Sequence, residues 1–146
     1  GSGSGSFSFV CNALGHDSTG LEKPLSGDNK DVLALNYLLT EWHNVRVLEH
    51  AILPQVPLPV KDRSYDDFSI FHPNFYRLWK EADWDFLLSD LSRCATRAKS
   101  KLYIKVHTRK LKAIGGKYYS FEDLFKSISK LNCRLIKDNH YVVNLT

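Results

Sequence analysis

The sequence has no methionine and only three cysteines, Cys11, Cys94 and Cys133. The cysteines are widely spaced, odd in number and without a CxxC pair, so the sequence predicts neither a disulfide framework nor a cysteine-based metal site. It also lacks a signal-peptide pattern and any apolar run near the roughly 18 residues that a membrane helix needs. These absences predict a soluble intracellular protein, nuclear or cytoplasmic, with reduced thiols.

Residues 1–6 alternate glycine and serine, a composition typical of an artificial flexible linker. We therefore predict that residues 1–6 are such a linker and that 7–146 form a single domain cut from a larger protein. The chain length suits one domain. An apolar fraction of 43% is enough for a hydrophobic core.

Three parts of the chain have the spacing of amphipathic helices, with apolar residues at steps of three and four. The first begins at Asp31, and we expect its stripe to face the core: Val32, Leu35, Leu38, Leu39, Trp42 and Val45. The second covers 74–98, either as two helices or as one kinked helix, with a buried stripe of Trp84, Leu87, Leu88, Leu91, Cys94 and Ala98. The third follows a capping-box-like SFED at Ser120.

Strands are predicted where apolar and polar residues alternate. Residues 7–14 and 102–107 have this pattern, and the second places Leu102, Ile104 and Val106 toward a core. The last segment, 133–145, reads as a β-hairpin with Asp138 and Asn139 at its turn. The prolines of 54–59 predict an extended connector before residue 70.

This order of elements predicts an α+β fold in which a small antiparallel sheet packs against three or four helices. Over residues 84–145, a helix followed by a terminal hairpin resembles the closing half of a winged helix-turn-helix, in which the hairpin is the wing. The sequence favours a generic α+β sandwich, with helices on one face of an antiparallel sheet, over this winged-helix-like arrangement.

The charge is unevenly distributed along the chain. Residues 93–117 hold nine lysines and arginines and no acid, whereas residues 1–92 are net acidic. A basic strand face with an aromatic residue could contact phosphates and stack on a base, or bind an acidic protein, or only be solvated. The candidate binding residues are Arg93, Arg97, Lys99, Lys101, Tyr103, Lys105, His107, Arg109, Lys110 and Lys112.

Catalytic and metal motifs are not evident. The six histidines have no zinc-finger or HExxH context. The neighbours His16, Asp17 and Ser18 cannot form a catalytic relay in one loop, and Gly115-Gly116 reads as a turn. The sequence therefore predicts no catalytic residue, metal or small-molecule cofactor. It favours a non-enzymatic module that binds a protein partner, with DNA or RNA binding through 93–117 as the alternative.

Overall fold

The structure is a computed structural model of the chain, and it describes residues 3–25, 30–73, 79–96, 99–106, 123–124, 127, 133–137 and 139–145. The chain divides into two compact units, Gly1–Ile52 and Leu53–Thr146. Both helices and strands are present, which confirms the predicted mixture of the two. The single domain at 7–146 and the artificial origin of 1–6 stay predictions. Gly3 to Ser6, however, belong to the first compact unit.

The first unit contains a parallel strand pair joined by a helix. Its elements are α1 (Ser6–Ala13), β1 (Thr19–Glu22), α2 (Lys30–Trp42) and β2 (Arg46–Glu49). β1 and β2 run parallel, with Thr19 opposite Arg46 and Glu22 opposite Glu49. Parallel neighbours need a crossover connection, which α2 supplies. Their carboxyl ends therefore lie side by side at one edge of the pair.

The strand predicted at 7–14 is wrong, because these residues form α1. Gly5 precedes the helix in the left-handed conformation, and its carbonyl accepts the amide hydrogen of Phe9 at 2.8 Å. At the other end, Asn12 accepts a hydrogen bond from the Ser18 amide at 2.7 Å. The alternation of Phe7 and Phe9 suggested a strand, but these contacts around the segment favour the helix.

The helix predicted from Asp31 is confirmed as α2, but most of its predicted core face is wrong: of the predicted stripe, Val45 is buried as expected and four other members are exposed. Leu33 and Thr40 are buried, whereas Trp42 is 82% exposed. The other exposed members of the predicted stripe are Val32, Leu35 and Leu38. The periodicity fixes the helix. The side of α2 that packs is the one that carries Thr40, which contacts the glycine loop before α1.

The second unit contains α3 (Glu81–Cys94) and the strands β3 (Phe68–Phe71), β4 (Lys101–Lys105), β5 (Cys133–Lys137) and β6 (His140–Asn144). The sheet order is β3-β4-β6-β5. β6 pairs antiparallel with β4 and with β5, but β3 and β4 are parallel. The predicted antiparallel sheet is therefore corrected to a mixed one, since α3 lies between β3 and β4 in the chain and lets β4 return parallel.

Several predictions for this unit are confirmed. The residues of β4 alternate as expected, with Leu102 and Ile104 buried and Tyr103 exposed. The stripe of α3 is buried at Trp84, Leu87, Leu88, Leu91 and Cys94. The terminal hairpin forms from β5 and β6, with Asn139 at a positive φ of 65°. The predicted helix after Ser120 and the start of the one at 74 lie mostly outside the described residues.

The three cysteines, all within the described residues, are not joined by disulfides. Cys94 and Cys133 are buried, as predicted, whereas Cys11 is partly exposed. Burial raises the pKa of the Cys94 thiol, which reduces its reactive thiolate form. Among the described residues no helix is long and apolar enough to cross a bilayer.

We expect iodoacetamide at pH 8 to alkylate Cys11 of the native protein at least about 100-fold faster than Cys94 and Cys133, because only Cys11 is accessible. Peptide mass spectrometry after timed quenching measures the three rates. Unfolding in guanidinium chloride should make them equal. Rapid native labelling of Cys94 would contradict the packing of α3.

Candidate functional site

A buried carboxylate lies at the carboxyl end of β1. Glu22 is only 7% exposed. Its Oε2 accepts a hydrogen bond from the Gly3 amide at 2.9 Å, and its Oε1 accepts one from the Lys23 amide at 3.0 Å. A carboxylate offers about four acceptor positions, so Glu22 can accept further donors. A buried charge held by backbone amides and left with spare acceptor positions is suited to binding polar hydrogens of a ligand.

A glycine loop faces this carboxylate. Gly3 and Gly5 both have positive φ, 56° and 73°. A Cβ on Gly5 would lie 2.7 Å from Cγ2 of Thr40, so the close approach of loop and α2 requires glycine there. Nδ1 of His43 lies 3.1 Å from the carbonyl oxygen of Ser4. The loop leads directly into α1, whose first amides point out of the helix end.

The end of β2 lies beside the end of β1 at the same carboxyl edge. The amide of His50, which follows β2, donates to the main-chain carbonyl of Glu22 at 2.7 Å. Nε2 of His50 is buried and has no hydrogen-bond partner among the described residues. The Tyr37 hydroxyl on α2 donates to the Lys23 carbonyl at 3.1 Å. Side chains from β1, α2 and the residue after β2 thus converge on the carboxyl edge.

The phenol of Tyr37 lies close to two carboxylates. Burial raises its pKa, and the Glu49 and Glu22 carboxylates raise it further. The hydroxyl therefore keeps its proton through the neutral range and can act as a donor to the Lys23 carbonyl.

Parts of this arrangement resemble a known nucleotide-binding loop. In parallel α/β sheets, ligands bind outside the carboxyl ends of the strands. A glycine-rich turn opening a helix lets a ligand approach the backbone, and an acidic residue about 20 positions later binds ribose hydroxyls. Here Glu22 follows Gly5 by 17 positions. The candidate site is therefore suited to binding the hydroxyls of a ribose.

An open groove of about 470 Å³ also lies in the first unit. Its walls come from the C-terminal half of α2 and the start of β2: Tyr37, Thr40, Glu41, Asn44, Val45, Arg46 and Val47. Neither Glu22 nor the glycine loop lines it. If concavity alone marked a ligand site, this groove would be the candidate. The buried Glu22 carboxylate and the adjacent strand ends favour the carboxyl edge of β1 and β2 instead.

The predicted basic surface is only partly within the described residues. Of its ten members, the structure describes Arg93, Lys99, Lys101, Tyr103 and Lys105. The other five lie outside the described residues: Arg97, His107, Arg109, Lys110 and Lys112. That these ten residues form a binding surface, and that a protein partner is bound, stay predictions.

Arg93 has a structural role that the charge pattern did not reveal. Its Nε donates to Asp90 at 2.7 Å and its Nη1 donates to Asp62 at 2.6 Å. Nη1 also donates to the Val60 carbonyl at 3.0 Å. The hydrogen bond with Asp90, and then that with Asp62, raise the pKa of Arg93 above its usual value. This guanidinium ties the connector to α3.

The residues of the candidate site were not among the predicted ones, although the sequence carries a signal for them. Gly1, Gly3 and Gly5 have a G-x-G-x-G spacing, one residue shorter than the G-x-G-x-x-G of dinucleotide-binding loops, and an acidic residue follows at a suitable distance. The serines between the glycines make the segment resemble a linker, and the strand prediction for 7–14 concealed the helix that such a loop must open. Among the described residues no three His, Cys, Asp or Glu side chains cluster as a metal site would require.

Comparisons with known proteins place the fold. No family model matches the chain, and no curated protein matches it. Among solved structures it is similar to the PH0226 protein from Pyrococcus horikoshii OT3, with a TM-score of 0.61 and 12% identity over 98% of this chain and 78% of that one. It is also similar to a SAM dependent methyltransferase from Aquifex aeolicus, with a TM-score of 0.59 and 16% identity over 98% and 77%.

These similarities correct the functional predictions. A fold shared with an enzyme over 98% of the chain contradicts the prediction of a non-enzymatic interaction module. It equally contradicts the alternative, a nucleic-acid-binding domain, and the prediction that the chain is not an enzyme. The winged-helix resemblance is wrong as well. It relied on a helix followed by a hairpin, but that hairpin is part of a mixed sheet in which β4 also pairs parallel with β3.

Proposed function

We propose that this protein binds S-adenosylmethionine at the carboxyl edge of β1 and β2 and acts as a methyltransferase. The observation that carries the proposal is the hydrogen bond between the Gly3 amide and the buried Glu22 carboxylate, which joins the glycine loop to the acidic strand end. The choice of S-adenosylmethionine among adenosine-containing molecules is supported by the shared fold with the Aquifex aeolicus enzyme. Under this proposal residues 3–6 are a native ligand-binding loop instead of part of an artificial linker.

The residues present fit such a ligand. Glu22 has acceptor positions left for the ribose hydroxyls, and hydrogen bonds to a charged acceptor are among the stronger ones. Gly3 and Gly5 carry no side chain, so the ligand can approach the backbone of the loop closely. When bound, S-adenosylmethionine supplies an electrophilic methyl group on a positively charged sulfur. The chain's own residues bind and orient the adenosine end, and the ribose contact falls to Glu22.

We expect Glu22→Gln to weaken binding of S-adenosylhomocysteine by about 10- to 100-fold, since a hydrogen bond to a charged group contributes about 1.5–3 kcal/mol. Isothermal titration calorimetry on the full chain measures the affinity. The matched control is Glu41→Gln, a change of the same chemistry at an exposed position of α2 in the same unit, which should leave the affinity within about twofold.

A parallel titration with NAD⁺ tests the choice of ligand. Binding of S-adenosylhomocysteine but not of NAD⁺ supports the proposal. Binding of NAD⁺ alone would retain an adenosine site and reject the methyltransferase. An unmodified chain that binds neither ligand at about 1 mM would overturn the proposal altogether.

A further inference from the structure

A side chain of α2 holds the residue that follows β1. The Tyr37 hydroxyl donates to the main-chain carbonyl of Lys23 at 3.1 Å. Lys23 directly follows Glu22, and its amide donates to Oε1 of the Glu22 carboxylate at 3.0 Å. The Tyr37 phenol thus holds Lys23, whose amide in turn orients the Glu22 carboxylate.

The same phenol also reaches the neighbouring strand. Glu49, the last residue of β2, is directly opposite Glu22 in the parallel pair. Burial, followed by the charge of the nearby Glu49 carboxylate, raises the pKa of the Tyr37 phenol. Because both carboxylates disfavour the phenolate, Tyr37 stays protonated and its hydroxyl hydrogen remains available for the Lys23 carbonyl.

The position of Tyr37 in α2 connects this contact to the glycine loop. The carbonyl oxygen of Tyr37 accepts a hydrogen bond from the hydroxyl of Thr40 at 2.8 Å, and Thr40 is the buried residue against which Gly5 packs. Helix, glycine loop and strand end are thereby linked through a few short contacts. A ligand-binding carboxylate must be held within fractions of an ångström, and such supporting contacts supply that precision.

We infer that Tyr37 is a positioning residue for ligand binding: its hydroxyl holds the turn after β1 so that the Glu22 carboxylate is oriented toward the ribose hydroxyls. This inference rests on the proposed function, because it assigns Glu22 to the ribose. Tyr37 itself acts through Lys23 and Glu22 and need not touch the ligand.

The test is Tyr37→Phe in the full chain, which removes one oxygen and keeps the ring. Binding of adenosine should weaken by about 5- to 20-fold, whereas binding of 2′,3′-dideoxyadenosine should change less than about twofold, because that ligand lacks the 2′ and 3′ hydroxyls that would donate to Glu22. The matched control is Tyr65→Phe, the same change in the second unit, which should alter neither affinity.

Amide hydrogen exchange supplies a readout that needs no ligand. In Tyr37→Phe the amides of Gly3 and Lys23, which both donate to Glu22, should exchange faster by about tenfold or more, while amides within α3 keep their rates. Unchanged exchange at both positions would overturn the inference even if the variant bound ligand poorly.

The outcomes separate the two proposals. If the unmodified chain binds adenosine and Tyr37→Phe binds it equally well, the positioning role is rejected and the proposed function stands. If Tyr37→Phe weakens adenosine and its dideoxy analogue equally, the phenol supports the fold only, and the positioning role is again rejected. An unmodified chain that binds no adenosine-containing ligand rejects the proposed function, and the ligand-binding role of Tyr37 with it.

Discussion

Replacing Gly5 by alanine is expected to destabilise the first unit by about 3 kcal/mol and to weaken binding of S-adenosylhomocysteine at least tenfold. Two costs combine. A residue with a side chain at φ 73° costs about 1–2 kcal/mol, and the new Cβ would lie 2.7 Å from Cγ2 of Thr40, an overlap that costs about 1–3 kcal/mol to relieve. Hydrogen exchange of amides within α1 and α2 in increasing urea measures the stability.

The two costs can be measured separately. Thr40→Ser removes Cγ2 and keeps the hydroxyl that donates to the Tyr37 carbonyl. In the double variant the steric part of the Gly5→Ala penalty should disappear and the backbone part should remain, so about half of the stability should return. Gly15→Ala is the matched control, since Gly15 also has positive φ but open space around its Cβ position. A Gly5→Ala protein as stable as the original would contradict the close packing of loop and α2.

Asp90→Ala is expected to destabilise the second unit by about 3 kcal/mol. Asp90 is 7% exposed, and its carboxylate accepts from Arg93 Nε and from the Leu58 amide, both at 2.7 Å. Removing one member of a largely buried pair leaves the other charge incompletely compensated, which commonly costs about 3–5 kcal/mol. The lower end of that range applies because Arg93 keeps its contacts with Asp62 and the Val60 carbonyl.

Chemical unfolding monitored by the fluorescence of Trp84 measures this loss. Asp85→Ala is the matched control: the residue is on the same helix but exposed, and its removal should cost less than about 1 kcal/mol. Asp90→Asn should fall between the two, because an amide still accepts one hydrogen bond but brings no charge to Arg93. Equal stability of the Asp90 and Asp85 variants would refute the anchoring of the connector by α3.

The sequence predicts elements well where a local pattern has one structural solution. The apolar stripe of α3 and the inward-facing residues of β4 are buried as predicted. The hairpin of β5 and β6 also forms, with Asn139 in its turn. In each case the apolar period also selects the buried face. For α2 the period predicts the helix but not its packed face, because both of its sides carry apolar residues. Contacts with other segments decide which side packs, such as those of Thr40 with the loop at Gly5 and of Tyr37 with Lys23.

The candidate site could have been found in the sequence only as a spacing of glycines and one glutamate. That spacing competes with a second interpretation, since alternating glycine and serine also describe a flexible linker. Tertiary structure adds the observation that separates them: the Gly3 amide meets the Glu22 carboxylate, 19 positions away in the chain.

The sequence by itself determined the mixture of helices and strands, the positions of α2, α3, β4 and the hairpin, and the burial of Cys94 and Cys133, because these depend on residue periodicity and hydrophobicity within one segment. Only the tertiary structure decided that residues 6–13 are helical, that Arg93 secures a connector, and that Gly3, Tyr37 and Glu22 meet at one strand edge. These features depend on contacts between segments far apart in the chain, and no local pattern encodes which distant partner a residue will find.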